Sequence, residues 1–82
     1  MIQVTVLFFA TLRDHMETKQ ISIELPADSG IPDLKAMLVS LQPGAAAAID
    51  SALVSINREY AFSDETIPNG AEIALFPHVS GG

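Results

Sequence analysis

Hydrophobic and polar residues alternate through residues 2–9, Ile-Gln-Val-Thr-Val-Leu-Phe-Phe. A period of two, rich in β-branched and aromatic side chains, predicts a β-strand. Ile2, Val4, Val6 and Phe8 fall on one face, and Gln3, Thr5, Leu7 and Phe9 on the other. Residues 20–25, Gln-Ile-Ser-Ile-Glu-Leu, alternate as cleanly, with Ile21, Ile23 and Leu25 inward. The polar stretch 10–19 between them predicts a loop with a helical turn at Thr11–His15. The period then changes. Leu34, Met37, Leu38 and Leu41 recur at i, i+3, i+4 and i+7, the stripe of an amphipathic helix. Ser29 or Gly30 supplies its cap region, and Pro32 sits in the first turn, where its missing N–H costs nothing. Pro43-Gly44 stops it. Ala45–Asp50 predicts a short second helix. Residues 52–57 alternate again, with Ala52, Val54 and Ile56 on one face. A short strand is expected near Tyr60-Ala61-Phe62, and Pro68-Asn69-Gly70 signals a turn. Residues 72–76 predict a last strand, with Ile73 and Leu75 on one face and Phe76 on the other.

Two strands, a helix and further strands in that order predict an α+β domain. Its mixed sheet carries one main helix on one face. This has a consequence for the opposite face. If the helix covers Val4, Val6 and Phe8, then Leu7 and Phe9 face away from it. Phe76 lies on the corresponding face of the last strand. An apolar patch left uncovered in this way is a candidate binding surface, with Tyr60 at its rim.

Composition narrows the classes of function. The chain of 82 residues fits one small domain, in which folding removes about 60–65% of the unfolded surface. Its 49% apolar content supplies a core and excludes a disordered segment. Ten acidic and four basic residues give a net charge of −6. This argues against nucleic acid or an anionic membrane as partner, because both require clustered Lys and Arg. It fits a basic protein partner, or solubility alone. Apolar runs such as Val6-Leu7-Phe8-Phe9-Ala10 are far shorter than the ~20 residues of a membrane span. No basic residue precedes the first apolar stretch, so no secretory signal is expected. There is no cysteine, which excludes disulfides, thiolate zinc sites and a catalytic thiol. A cytoplasmic location is expected on that basis.

The side chains offer little catalytic chemistry. His15 and His78 are the only histidines and lie far apart in sequence, whereas a metal site needs more ligands at closer spacing. Ser, His and Asp occur in no nucleophile context such as Gly-x-Ser-x-Gly. Asp28, Asp64 and Glu65 read as cap and loop residues. No Gly-rich loop joins a strand to a helix, so no phosphate cradle is expected. The domain is expected to bind no cofactor and to hold no side-chain active site.

The last residues, Phe-Pro-His-Val-Ser-Gly-Gly, differ. At average glycine usage, two closing glycines fall together in roughly one chain in 200. Pro77 removes a ladder donor and directs the chain off the sheet. Residues 1–76 are therefore predicted to form the domain, and 77–82 a flexible tail. Those six residues reach at most about 20 Å. Gly81 and Gly82, lacking Cβ, can thread a narrow channel, and the terminal carboxyl carbon is open to attack. The tail is thus either a chemical group carried on the backbone and presented to a partner, or an inert end on a plain interaction domain.

Three segments resemble the small subunit of molybdopterin synthase. They are Val6-Leu7-Phe8-Phe9-Ala10-Thr11-Leu12-Arg13, Val54-Ser55-Ile56-Asn57-Arg58-Glu59, and residues 69–82 with their Phe-Pro-x-Val-Ser-Gly-Gly ending. The resemblance spans essentially the whole chain, and the ending is its most specific part. It implies the ubiquitin-like β-grasp fold, in agreement with the element order. It also implies a sulfur carrier in molybdenum cofactor biosynthesis. An E1-like adenylyltransferase uses ATP to adenylate the Gly82 carboxylate. A sulfur donor such as a cysteine desulfurase or rhodanese converts it to a thiocarboxylate. The tail then enters the large synthase subunit, in a heterotetramer, and gives its sulfur to cyclic pyranopterin monophosphate. Gly82 would bear the thiocarboxylate, and Gly81 would allow threading. Leu7, Phe9, Tyr60, Phe76, Pro77, His78, Val79 and Ser80 would contact the partner. The chain departs at His78, where many members carry a second proline; this bears on the fit of the tail, not on the chemistry at Gly82. Two alternatives share the ending: a sulfur carrier for thiamine or cysteine synthesis, and a ubiquitin-like protein modifier.

Overall fold

The computed structural model describes residues 1–62 and 64–78. The elements run β1 (Ile2–Phe8), α1 (Thr11–Met16), β2 (Gln20–Leu25), α2 (Ile31–Leu41), a 3-10 turn at Pro43–Ala45, α3 (Ala46–Ser51), β3 (Leu53–Ile56), β4 (Glu59–Tyr60) and β5 (Glu72–Phe76). The strands form one mixed sheet in the order β2-β1-β5-β3-β4. β1 and β5 pair in parallel at its centre, and the other neighbours are antiparallel. This is the α+β mixed sheet that the element order predicts, in the ubiquitin-like β-grasp arrangement that the resemblance implies.

Register carries the alternation of each strand across the sheet. Val6 lies opposite Ile21 on β2 and Ile73 on β5; Phe8 lies opposite Leu75, which faces Val54 on β3. These residues share one face; Ile21 is partly buried against, and the others join, one buried cluster with Leu12, Ile31, Leu34, Leu38 and Ile49 from the helices. All three helices therefore contribute to the core on that face, and burial of their apolar sides holds them there.

Local signals explain the boundaries. At the start of α2, the Gly30 N–H donates to Asp33 Oδ2 at 2.8 Å, satisfying one donor that a helix N-terminus leaves free. Pro32 occupies the first turn. Leu34 and Leu38 are buried, but Leu41 is 54% exposed and does not complete the expected stripe. It is the last helical residue; the chain turns at Pro43, and Ala45 and Ile49 enter the core instead. The expected turn at Thr11–His15 is a helix reaching Met16, because Leu12 and Met16, four apart, both bury. β4 begins at Glu59 rather than Tyr60. Asn57 and Arg58 have φ of +50° and +72° and make a two-residue hairpin turn that sets Ile56 opposite Glu59.

Asn57 also ties this hairpin to β5. Its N–H donates to the Glu72 carbonyl at 2.8 Å, and its Oδ1 accepts from the Glu72 N–H at 2.9 Å. Asn57→Ala loses that acceptor and places Ala in the left-handed region. We expect a loss of about 1–2 kcal/mol, read as a lower urea midpoint. Asn57→Gly relieves the φ and should recover part of it. Just before this same end of β5 the predicted turn forms. Gly70 adopts φ +80° and donates to the Gln3 carbonyl at 2.7 Å, while Asn69 Oδ1 accepts from the Gln3 N–H at 2.9 Å.

Candidate functional site

The face opposite the helices carries the other half of each alternation. Leu7 pairs with Ala74, Ala74 with Ser55, and Ser55 with Tyr60, so these four form one row across four strands. Ala74 and Ser55 are small and make a floor. Larger side chains stand beside them. The rings of Phe9 and Phe76 stack with centroids 4.9 Å apart and planes 9° from parallel. Tyr60 leans toward Phe76 at 6.5 Å and 54°. The result is a groove of about 480 Å³, with Arg58 and Glu72 also lining it.

Backbone pairing fixes the aromatic wall. β1 ends at Phe8, but the Phe9 N–H still donates to the Leu75 carbonyl at 3.2 Å, which holds Phe9 beside β5. Phe76 is the last residue of β5 and lies opposite Leu53. Tyr60 is 74% exposed on the short edge strand. An aromatic cluster left in water on a sheet surface is a recognition feature, because partner burial recovers its hydration cost.

The structure brings together the predicted Leu7, Phe9, Tyr60 and Phe76. Pro77, half-buried, and exposed His78 follow directly from the groove's wall. Val79, Ser80, Gly81 and Gly82 lie outside the described residues. His15 is exposed on α1 and does not line the groove. Ser55, Arg58, Glu72 and Ala74 were not singled out from the sequence. The alternation of residues 72–76 already places Glu72, Ala74 and Phe76 on one face; Arg58 has no such signal, because its position depends on the hairpin turn.

Among the described residues, no group of three or more His, Cys, Asp or Glu could hold a metal ion. Among them, too, no helix is long and apolar enough to cross a membrane.

Comparison with known proteins places this geometry in a family. The molybdopterin synthase sulfur carrier subunit of Chlamydomonas reinhardtii is 28% identical over 83 residues, spanning 99% of this chain and 100% of its own. The crystal structure of SAMP1 from Haloferax volcanii superposes with a TM-score of 0.83 at 27% identity, covering 98% of this chain and 99% of that one. A further similar fold occurs in the protein–protein complex of subunits 1 and 2 of molybdopterin-converting factor from Helicobacter pylori. It has a TM-score of 0.69 at 20% identity, with 99% and 100% of the two chains covered. The sequence profile of the ThiS family matches residues 6–82, nearly the whole chain, and the chain belongs to that family.

Proposed function

We propose that this chain is the sulfur carrier subunit of a molybdopterin synthase. The observation that carries the reading is the position of the aromatic groove. Phe9, Tyr60 and Phe76 meet where the chain leaves β5 for Pro77 and the Gly81-Gly82 ending. A partner that grips this groove receives the tail at its own active site. The full-length similarity to a sulfur carrier subunit, and a family match running through residue 82, support the reading.

The chemistry follows from the carboxylate. Gly82 COO⁻ is a poor electrophile. Attack of one carboxylate oxygen on ATP, with pyrophosphate leaving, gives an acyl-adenylate. Sulfide then displaces AMP and leaves Gly82 as a thiocarboxylate; a persulfide donor displaces AMP to give an acyl disulfide, whose S–S bond a second thiol reduces to release the same thiocarboxylate. That sulfur is the nucleophile toward the pterin precursor, and water returns the carboxylate when the C–S bond to Gly82 breaks. Insertion of the tail holds the sulfur at high effective concentration. The acids, bases and phosphate-binding groups come from the adenylyltransferase and from the large subunit. Zero cysteines fits a carrier whose sulfur rides on the backbone.

The test is intact mass after incubation with ATP, the adenylyltransferase and a sulfur source. We expect a gain of about 16 Da, one oxygen exchanged for sulfur at an activated carboxyl, and no gain once Gly82 is deleted. No gain with a demonstrably active enzyme set overturns the carrier reading. Adding the large subunit and cyclic pyranopterin monophosphate then separates the molybdenum pathway from thiamine or cysteine synthesis. The likeness to SAMP1 favours one second reading, a ubiquitin-like modifier. It requires Gly82 in isopeptide linkage to lysines, detectable as conjugates by mass spectrometry.

A further inference from the structure

We propose that Arg58 is the polar specificity determinant of this groove and receives a carboxylate from the partner's surface. The inference rests on the reading of the groove as the partner interface. Of the four basic residues, Arg58 is the one that lines the groove. Arg13 lies on α1 and Lys19 precedes β2. Lys35 is engaged elsewhere, donating from Nζ to the carbonyls of Asp50 and Ala52 at the end of α3. A single cation beside an aromatic wall, on a chain of net charge −6, is a local exception to the field around it.

Its bonding is incomplete. Among the described residues its charge partner is Glu72, with Nε 3.8 Å from Oε1, too long for a hydrogen bond. Arg58 is 88% exposed there, so the pair holds it weakly. A guanidinium has five donors in a rigid fork. When a partner covers the groove, those donors lose water and need acceptors, or the burial is opposed. A carboxylate satisfies the fork with two parallel bonds. The overall acidic charge thus favours basic surfaces in general, and Arg58 selects among them one with an acid at this position.

The backbone adds a second argument. Arg58 takes φ +72° at the second turn position, which glycine adopts without strain. An arginine there holds a strained conformation beside the groove, and strain of this kind concentrates at recognition sites.

These facts predict opposite changes in stability and binding. Arg58→Gly should raise the thermal midpoint of the isolated chain. It should also weaken binding to the large subunit of molybdopterin synthase from the same organism about tenfold, measured by titration calorimetry. Arg58→Glu should weaken it further, about a hundredfold, with the deficit shrinking as salt rises. Phe76→Asp is the control for the groove itself. If Phe76→Asp abolishes binding while Arg58→Gly binds as the wild type does, the assignment of Arg58 is overturned and the groove reading stands. If Phe76→Asp binds unchanged, the groove is not the interface, and both readings fall.

Discussion

Phe8→Ala is expected to destabilise the domain by about 3–5 kcal/mol, the usual loss for a buried phenylalanine. Phe8 is 1% exposed. It stands at the end of β1, opposite Leu75 in the parallel central pair, and its N–H donates to the Lys19 carbonyl at 2.9 Å. It therefore ties β1 to β5 and to the residue just ahead of β2, within the core cluster shared with the helices. Truncation removes apolar area and leaves a cavity that the paired backbone around it cannot close. A chain of this size is stable by about 4–12 kcal/mol in total, so the variant loses a quarter or more of its stability and unfolds outright at the low end of that range. Chemical denaturation at 10–25 °C is the measurement. A loss below about 1 kcal/mol would mean that the site repacks, which close packing around Phe8 argues against.

Phe76→Asp is expected to weaken binding to the large subunit by at least about a hundredfold, with a much smaller effect on folding. Phe76 is half-buried and belongs to the outer wall, not to the core cluster. Its ring is the common neighbour of Phe9 and Tyr60, the central position where interface energy concentrates. Aspartate there removes the stack and asks a partner to cover a bare charge. Titration calorimetry beside a thermal melt separates the two effects. Near-native affinity in a folded variant would place the interface elsewhere. Phe9→Ala should give a milder form of the same result, about tenfold, because Phe9 lies at one end of the aromatic row.

Much of this arrangement is legible in the sequence, for physical reasons that differ by element. The alternation of residues 2–8 and 72–76 fixes which side chains share a face, because a one-residue slip would turn the core outward. Leu7, Phe9 and Phe76 could be assigned to one surface on that basis. α2 is legible because Leu34 and Leu38 keep helical spacing between a Gly-Ile-Pro start and a Pro-Gly stop. Leu41 breaks the rule because periodicity does not show where the layer above it ends. The hairpin at Asn57-Arg58 was missed because its turn lacks the glycine that usually announces positive φ. Asn57 is held instead by two hydrogen bonds to Glu72, fifteen residues on. With the turn went Arg58 and the start of β4. The parallel pairing of β1 with β5, which sets Leu7 and Phe9 beside Ala74 and Phe76, depends on contacts nearly seventy residues apart in sequence; no local pattern encodes it.

The central place of β5 bears on when the protein becomes competent during synthesis. β1 and β3 are both held by β5, so the sheet has no middle until residues 72–76 have cleared the ribosome. A nascent or truncated chain that stops short of them has its two halves but neither a closed core nor the Phe9–Phe76 wall. Folding is thus completed by nearly the same stretch of chain that leads into the tail. A copy that stops before β5 therefore presents no aromatic groove to a partner.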